Sequence, residues 1–264
     1  MCSLREKLIK KKTFIKYLIS YMLVFLLPIF MILFYFYPKT TDIIKKEAQN
    51  SETVLLSQIN DYVSIQVNAL FNCASAIHLD RDVTSNLFFK NSEFNTLLIM
   101  QEMRKILGTN PFIERAFLYS ASNGKFYSHS GTINGEDFGK KGSSFYYKDW
   151  EQGDILSFLS QVTNLEIRPS ETVILPYGNR INAVTFIIPI PLGSNIPYSV
   201  LMIVVEEKSF FPFINNEFEA HNGNIVILDN NNVPIVNKED AEYLYSEDFF
   251  SLLEDFDSDG VLQS

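Results

Sequence analysis

With 264 residues, 47% of them hydrophobic and 20% charged, the chain can bury one large core or two small ones, and its 23 Phe and 13 Tyr exclude an intrinsically disordered protein. The formal net charge of −9 hides an asymmetry. Residues 1–16 hold six basic side chains against one acidic (net +5), residues 17–37 hold no charge, and the remaining 227 residues carry a net −14. Phosphate repels so acidic a segment, which excludes nucleic-acid binding by residues 38–264.

The chain opens on a basic tail, Met1–Lys16, containing Arg5, Lys7, Lys10, Lys11, Lys12 and Lys16. Tyr17–Tyr37 follows as 21 uncharged residues. As a helix rising about 1.5 Å per residue it spans about 30 Å, the thickness of a bilayer's hydrocarbon core. Tyr17 and Tyr21 stand at one end and Tyr35 and Tyr37 at the other, as interfacial aromatic belts do. The apolar run is too long for a secretory leader, and it ends in Phe36-Tyr37-Pro38-Lys39 without a small-x-small cleavage site. The segment therefore reads as an uncleaved transmembrane anchor. The positive-inside rule puts the basic tail in the cytoplasm and residues 38–264 outside the cell membrane, crossed once by this chain.

Residues 42–78 form one long helical pattern, in which Leu55, Ile59, Val63, Val67, Leu70, Ala74 and Ile77 recur every three or four residues. The pattern predicts a stalk helix within residues 38–78, either packed on its own domain or pairing with a second copy as a homodimer. Shorter helices are expected over residues 81–107, closed by Gly108 and Asn110-Pro111. The period then changes. Arg115–Tyr119 and Lys125–His129 flank Ser122-Asn123-Gly124, a strong hairpin signal. A glycine-rich loop comes next, then an expected covering helix over Ser144–Val162. Strands are expected at Thr172–Tyr177, Asn182–Ile190 and Ser199–Glu206. The last two are apolar on both faces, as in the centre of a covered sheet. A short helix, Phe210–Phe218, leads to a second hairpin, Asn224–Val236, and to a helix over Glu239–Phe256.

This order, carried by FIERAFLYSASNGKFYSHSGTI (112–133), SSFYYKDW (143–150) and NIVILDNNNVPIV (224–236), resembles the double Cache extracellular sensor domain. The resemblance implies an α+β fold: a transmembrane helix, a stalk helix, then a Cache (PAS-like) antiparallel sheet with covering helices. It places a membrane-distal subdomain at 79–214 and the start of an incomplete membrane-proximal one at 215–264. The arrangement is most similar to receptors of low-GC Gram-positive bacteria with an AraC-type transcriptional regulator as output. Histidine kinases and chemoreceptors with this sensor are the alternative. On this reading the chain is no enzyme but the ligand-sensing, membrane-anchoring part of a receptor, and the natural protein continues past Ser264 to an output module.

The candidate ligand site is aromatic. Tyr147 and Trp150 lie in the Phe145–Trp150 cluster, Tyr119 and Tyr127 on the hairpin, and Tyr177 beside Arg180 at a strand end. These rings either fill a core or line a cleft between sheet and cover, where Arg180 could hold a carboxylate of a small extracellular molecule. Amino-acid-binding double Cache domains carry an Arg-x-Trp-Tyr signature. Here Lys148-Asp149 precede Trp150 and Glu151 follows it, so that signature is broken.

Other chemistry is weak. Ser122-Asn-Gly-Lys125 matches Ser-x-x-Lys, but a turn cannot set the amine one helical turn from the hydroxyl. His78, His129 and His221 lack ligand spacing, and no phosphate loop or nucleophile elbow occurs, so no cofactor is expected. Asp255, Asp257, Asp259 and Gly260 fit the first positions of an EF-hand calcium loop, and equally a solvated acidic turn.

Overall fold

The computed structural model describes residues 2–88, 93–210, 226–229 and 234–237. The chain divides into two compact units, Met1–Gln58 and Ile59–Ser264.

The first unit is helical. Helix α1 (Cys2–Met31) passes through a π-helical turn (Ile32–Phe36) into α2 (Tyr37–Leu79). Pro28 has no N–H to continue the ladder, and the wide turn follows within one helical turn, closed by Tyr37 N–H donating to Ile32 O. Phe14–Leu79 is a continuous helix, long and apolar enough to cross a bilayer, and none of its apolar window is buried. Each large apolar side chain between Tyr17 and Tyr37 is exposed.

The second unit begins with the rest of α2. It buries Ile59, Gln66, Leu70, Cys73, Ala74 and Ile77, so four residues of the apolar stripe pack into this unit's core, while Val63 and Val67 are half-buried. Asp80 breaks the helix and caps the next, α3 (Arg81–Phe88): its carboxylate accepts from the N–H groups of Asp82 (2.9 Å) and Val83 (3.0 Å). Helix α4 (Glu93–Thr109) ends at Asn110, whose amide donates back to Ile106 O at 2.9 Å.

Seven antiparallel strands then form one sheet: β1 (Ile113–Ser120), β2 (Lys125–Tyr127), β3 (Thr132–Asn134), β4 (Tyr146–Tyr147), β5 (Glu166–Ile174), β6 (Arg180–Ile190) and β7 (Ser199–Glu206). Their order is β3-β2-β1-β7-β6-β5-β4. β6 and β7 sit at the centre, buried on both faces as their sequences require. At the β1–β2 hairpin Gly124 takes φ +67°, where a side chain would be strained, and Asn123 Oδ1 accepts from Lys125 N–H. A separate two-stranded sheet pairs β8 (Val226–Leu228) with β9 (Pro234–Asn237).

The fold is α+β, as expected, with three differences of detail. The cover expected as one helix over Ser144–Val162 is a short edge strand, β4, followed by α5 (Gln152–Leu159). Tyr146 and Tyr147 find the open edge of β5, and the helix starts only after Trp150. The strand expected at Thr172–Tyr177 runs instead from Glu166 to Ile174. Pro176 cannot donate to a ladder and opens a 3-10 turn (Pro176–Gly178). The glycine-rich loop contributes β3, a third strand of the meander, whose three residues are too few to read as a strand in sequence. The expected helix over Glu239–Phe256 and the acidic loop of Asp255, Asp257 and Asp259 lie outside the described residues.

Candidate functional site: the aromatic face of the sheet

Paired residues of an antiparallel ladder point to one side, so the register sorts the sheet into two faces. Ala116, Leu118, Ile203 and Phe186 lie on one. It meets the helices: α4 packs on β1 and β2, and Ser120 Oγ contacts Leu87 O of α3. The other face carries Phe117, Tyr119, Val200, Met202, Val204, Ile187 and Ala183. It is closed by Phe138, Phe145, Trp150, Ile155, Leu159 and Val162 from the loop and α5.

Aromatic rings form a continuous chain across this second face. Phe126 stacks on Phe138 at 3.7 Å between centroids, and Phe117 contacts Phe138 at 5.0 Å and Phe145 at 4.6 Å. Phe145 meets Tyr147 edge-on at 5.2 Å, Tyr147 meets Trp150 at 5.1 Å, and Trp150 meets Phe158 at 5.7 Å. Apart from the nearly parallel Phe126–Phe138 stack, these spacings are those of tilted and edge-to-face pairs, which favour a fixed ring geometry.

Two polar groups sit within this apolar surface. Tyr147 and Thr185 are both fully buried, and their hydroxyls share a hydrogen bond of 2.9 Å. Burial, opposed by that bond, drives the Tyr147 phenol above its usual range. Beside it, the Arg168 guanidinium carbon lies 3.9 Å from the centroid of the Trp150 ring, a close cation–π contact. Arg168 Nε also donates to Glu171 Oε1 at 2.8 Å. Three residues apart on a regular strand, Arg168 and Glu171 would face opposite sides. A bulge at Pro169-Ser170 shifts the register and brings both to the aromatic face, where Arg168 pairs with Thr185 and Glu171 with Ala183.

Of the six residues singled out from sequence, Tyr147 and Trp150 are at the heart of this cluster. Tyr119 is at its edge, 4.9 Å from Phe126, with burial raising its phenol pKa. Tyr127 pairs with Leu118 and so lies on the helix-covered face, where its hydroxyl accepts from Asn123 Nδ2 at 2.9 Å. Arg180 pairs with Ile174, and Ile174 with Tyr146, which sets Arg180 on the face opposite Tyr147. Tyr177 is fully exposed in the 3-10 turn, at φ +65°. The cation that joins the aromatic cluster is Arg168, with Glu171 and Thr185 beside it, none of which stands out by residue type alone. A signal for it existed: a proline inside an alternating strand marks a bulge, and Arg168 and Glu171 flank Pro169-Ser170.

No protein-family model matches the chain, and no curated protein matches it in sequence. Solved structures similar to it include domains described as sensory or ligand-binding. The ligand-binding domain of the Campylobacter jejuni chemoreceptor Tlp3 in complex with L-valine is 14% identical. That match covers 84% of this chain and 85% of that one at a TM-score of 0.48. The ligand-binding domain of the Pseudomonas aeruginosa amino-acid chemoreceptor PctC, in complex with GABA, is 12% identical over 75% of this chain and 74% of that one (TM-score 0.43). The extracellular domain described for the histidine kinase vpHK1S-Z8 is 9% identical over 64% of this chain and 61% of that one (TM-score 0.44).

Proposed function

We propose that this chain is the sensing and anchoring part of a membrane receptor, binding a small extracellular molecule on the aromatic face of its sheet. The observation that carries the reading is an unbroken chain of rings with two polar pairs beside Trp150, the buried Tyr147–Thr185 and the half-buried Arg168–Glu171. Such a surface suits a ligand with an apolar body and a polar end: rings supply contact area, and a few placed polar atoms set orientation. The charge-free, fully exposed helix over Tyr17–Tyr37 supports a membrane anchor, because water does not tolerate so long an apolar face.

On this reading the +5 tail is cytoplasmic and residues 38–264 are outside, with a distal subdomain at 79–214 and the start of a proximal one at 215–264. Protease added to intact protoplasts should degrade the exterior part, and full protection would reverse the orientation. The output is an AraC-type DNA-binding module, by resemblance, with a histidine kinase or chemoreceptor as the alternative. The stalk helix is the dimer contact. Sequencing the native transcript beyond Ser264 separates the outputs, and cross-linking through a cysteine placed on the exposed side of α2 tests the dimer.

Binding itself is tested by thermal-shift screening of the chain in detergent micelles against amino acids, organic acids and sugars. A compound that raises the melting temperature should do so much less in Trp150→Ala, and less in Arg168→Leu. Equal shifts in all three proteins would place binding elsewhere.

A further inference from the structure

The bulge that aims Arg168 at Trp150 is itself tied down. Ser170, at its apex, donates its hydroxyl to Glu207 Oε2 at 2.7 Å. Glu207 opens the 3-10 turn Glu207–Phe210 in which β7 ends. In the same turn the Ser209 carbonyl accepts from Gln66 Nε2 of α2 at 3.3 Å. Gln66 is only 4% exposed, on a helix face otherwise made of Ile59, Leu70, Cys73, Ala74 and Ile77. Its other amide atom, Oε1, is buried without a hydrogen-bond partner.

A buried, half-bonded amide in an apolar seam is a poor choice for stability, since an unmet acceptor in such a place is costly. It is a good choice for an element that must shift. A long bond on one end and no bond on the other leave the Gln66 amide weakly held within an otherwise apolar seam. A small displacement of the Ser209 carbonyl therefore makes or breaks the one side-chain hydrogen bond described between α2 and this turn.

We propose that Ser170, Glu207 and Gln66 form a mechanical link that carries the position of the β5 bulge to helix α2. Movement of Arg168 on Trp150 shifts the bulge; Ser170 draws Glu207 with it; the turn moves the Ser209 carbonyl; and Gln66 tightens or releases α2. As a route for a bound molecule the link rests on the function proposed above. As a connection within the fold it does not, and it can be tested without a ligand.

The test is backbone hydrogen exchange of the full chain in phospholipid nanodiscs. Ser170→Ala should speed exchange at residues 63–70 of α2 about threefold, as expected for loosening one local contact. Exchange in α4 should be unchanged. In a Gln66→Leu background the same Ser170→Ala change should have no effect on α2. Should the leucine variant fail to fold, Gln66→Met serves in its place. Glu207→Gln retains an acceptor for the Ser170 hydroxyl and should leave α2 as in the parent. Unaltered exchange in α2 on Ser170→Ala, or an equal change with and without Gln66, would overturn the link. An aromatic face that binds nothing would remove the signalling role but leave these exchange results standing, so the two failures are distinguishable.

Discussion

The two faces of the seven-stranded sheet are built from different materials. The helix-covered face is mostly aliphatic, with Ala116, Leu118, Val184, Ile188, Leu201 and Ile203 set under regular helices. The opposite face also has an aliphatic floor but adds a run of packed aromatic rings, and it is covered by a loop, a two-residue strand and one short helix. Aliphatic side chains under a helix fill space by interdigitation and tolerate little change. Rings under a loop make fewer, larger, directional contacts, and a loop can move without unfolding a helix. Both faces hold buried polar atoms, Ser120 and Ser199 on the helix side and Thr185 on the aromatic side, but the ion pair Arg168–Glu171 and its cation–π contact lie on the aromatic side alone among the described residues.

Substitutions can break or sharpen this contrast. Leu118→Ala, fully buried on the aliphatic side, should cost about 3 kcal/mol in urea unfolding and leave ligand affinity alone. Trp150→Ala removes the contacts to Tyr147, Phe158 and Arg168 and should cost about 3–5 kcal/mol, with a tenfold or greater loss of affinity for any ligand found. Equal effects on affinity from the two variants would erase the distinction between the faces.

A smaller effect is expected in the cover. Gly139 sits at φ +75°, and a Cβ there would lie 2.7 Å from Ile155 Cδ1, so Gly139→Ala should cost about 2 kcal/mol. Gly142 has φ +92° but open space around it, and its alanine variant should cost less.

Next come the ion pairs. Arg168→Leu leaves the Glu171 carboxylate, 12% exposed, without its partner and should cost about 1–2 kcal/mol. Lys140→Leu breaks a pair with Asp137 exposed on both sides and should cost less than about 0.5 kcal/mol.

The smallest effect is on pH dependence. Burial, and then the charges of Arg115 and Arg104, hold the His129 imidazole below its ordinary range, and its Nδ1 is buried without a partner. The unfolded chain takes up this proton near pH 6.5, and the folded chain only at lower pH. The contribution is therefore intact above that value and lost as the pH falls through the window below it. His129→Gln should flatten the decline in melting temperature between about pH 7 and pH 5 relative to the parent. An unchanged slope would show that the imidazole is not the group responsible.

Much of this molecule was legible from local chemistry. An uncharged run of 21 residues must leave water, and a run apolar on both faces must lie at the centre of a covered sheet, as β6 and β7 do. Asn123-Gly124 can turn where other pairs strain, and so it joins β1 to β2. These are effects of nearest neighbours, periods and backbone freedom, and they survive in any context. The makeup of the site is of another kind. Tyr119 and Tyr127 are equivalent by composition, but Tyr119 lies one residue and Tyr127 two residues from the Ser120–Lys125 pair that closes the hairpin, which sends them to opposite faces. Arg180 and Arg168 are equivalent by charge, but only the register of β4, β5 and β6 decides which one shares a side with Trp150. Register is a long-range property, in which one residue of slip inverts every side chain. It was settled here by a bulge at Pro169-Ser170 held from another strand's end by Glu207, 37 positions away from Ser170 in the chain.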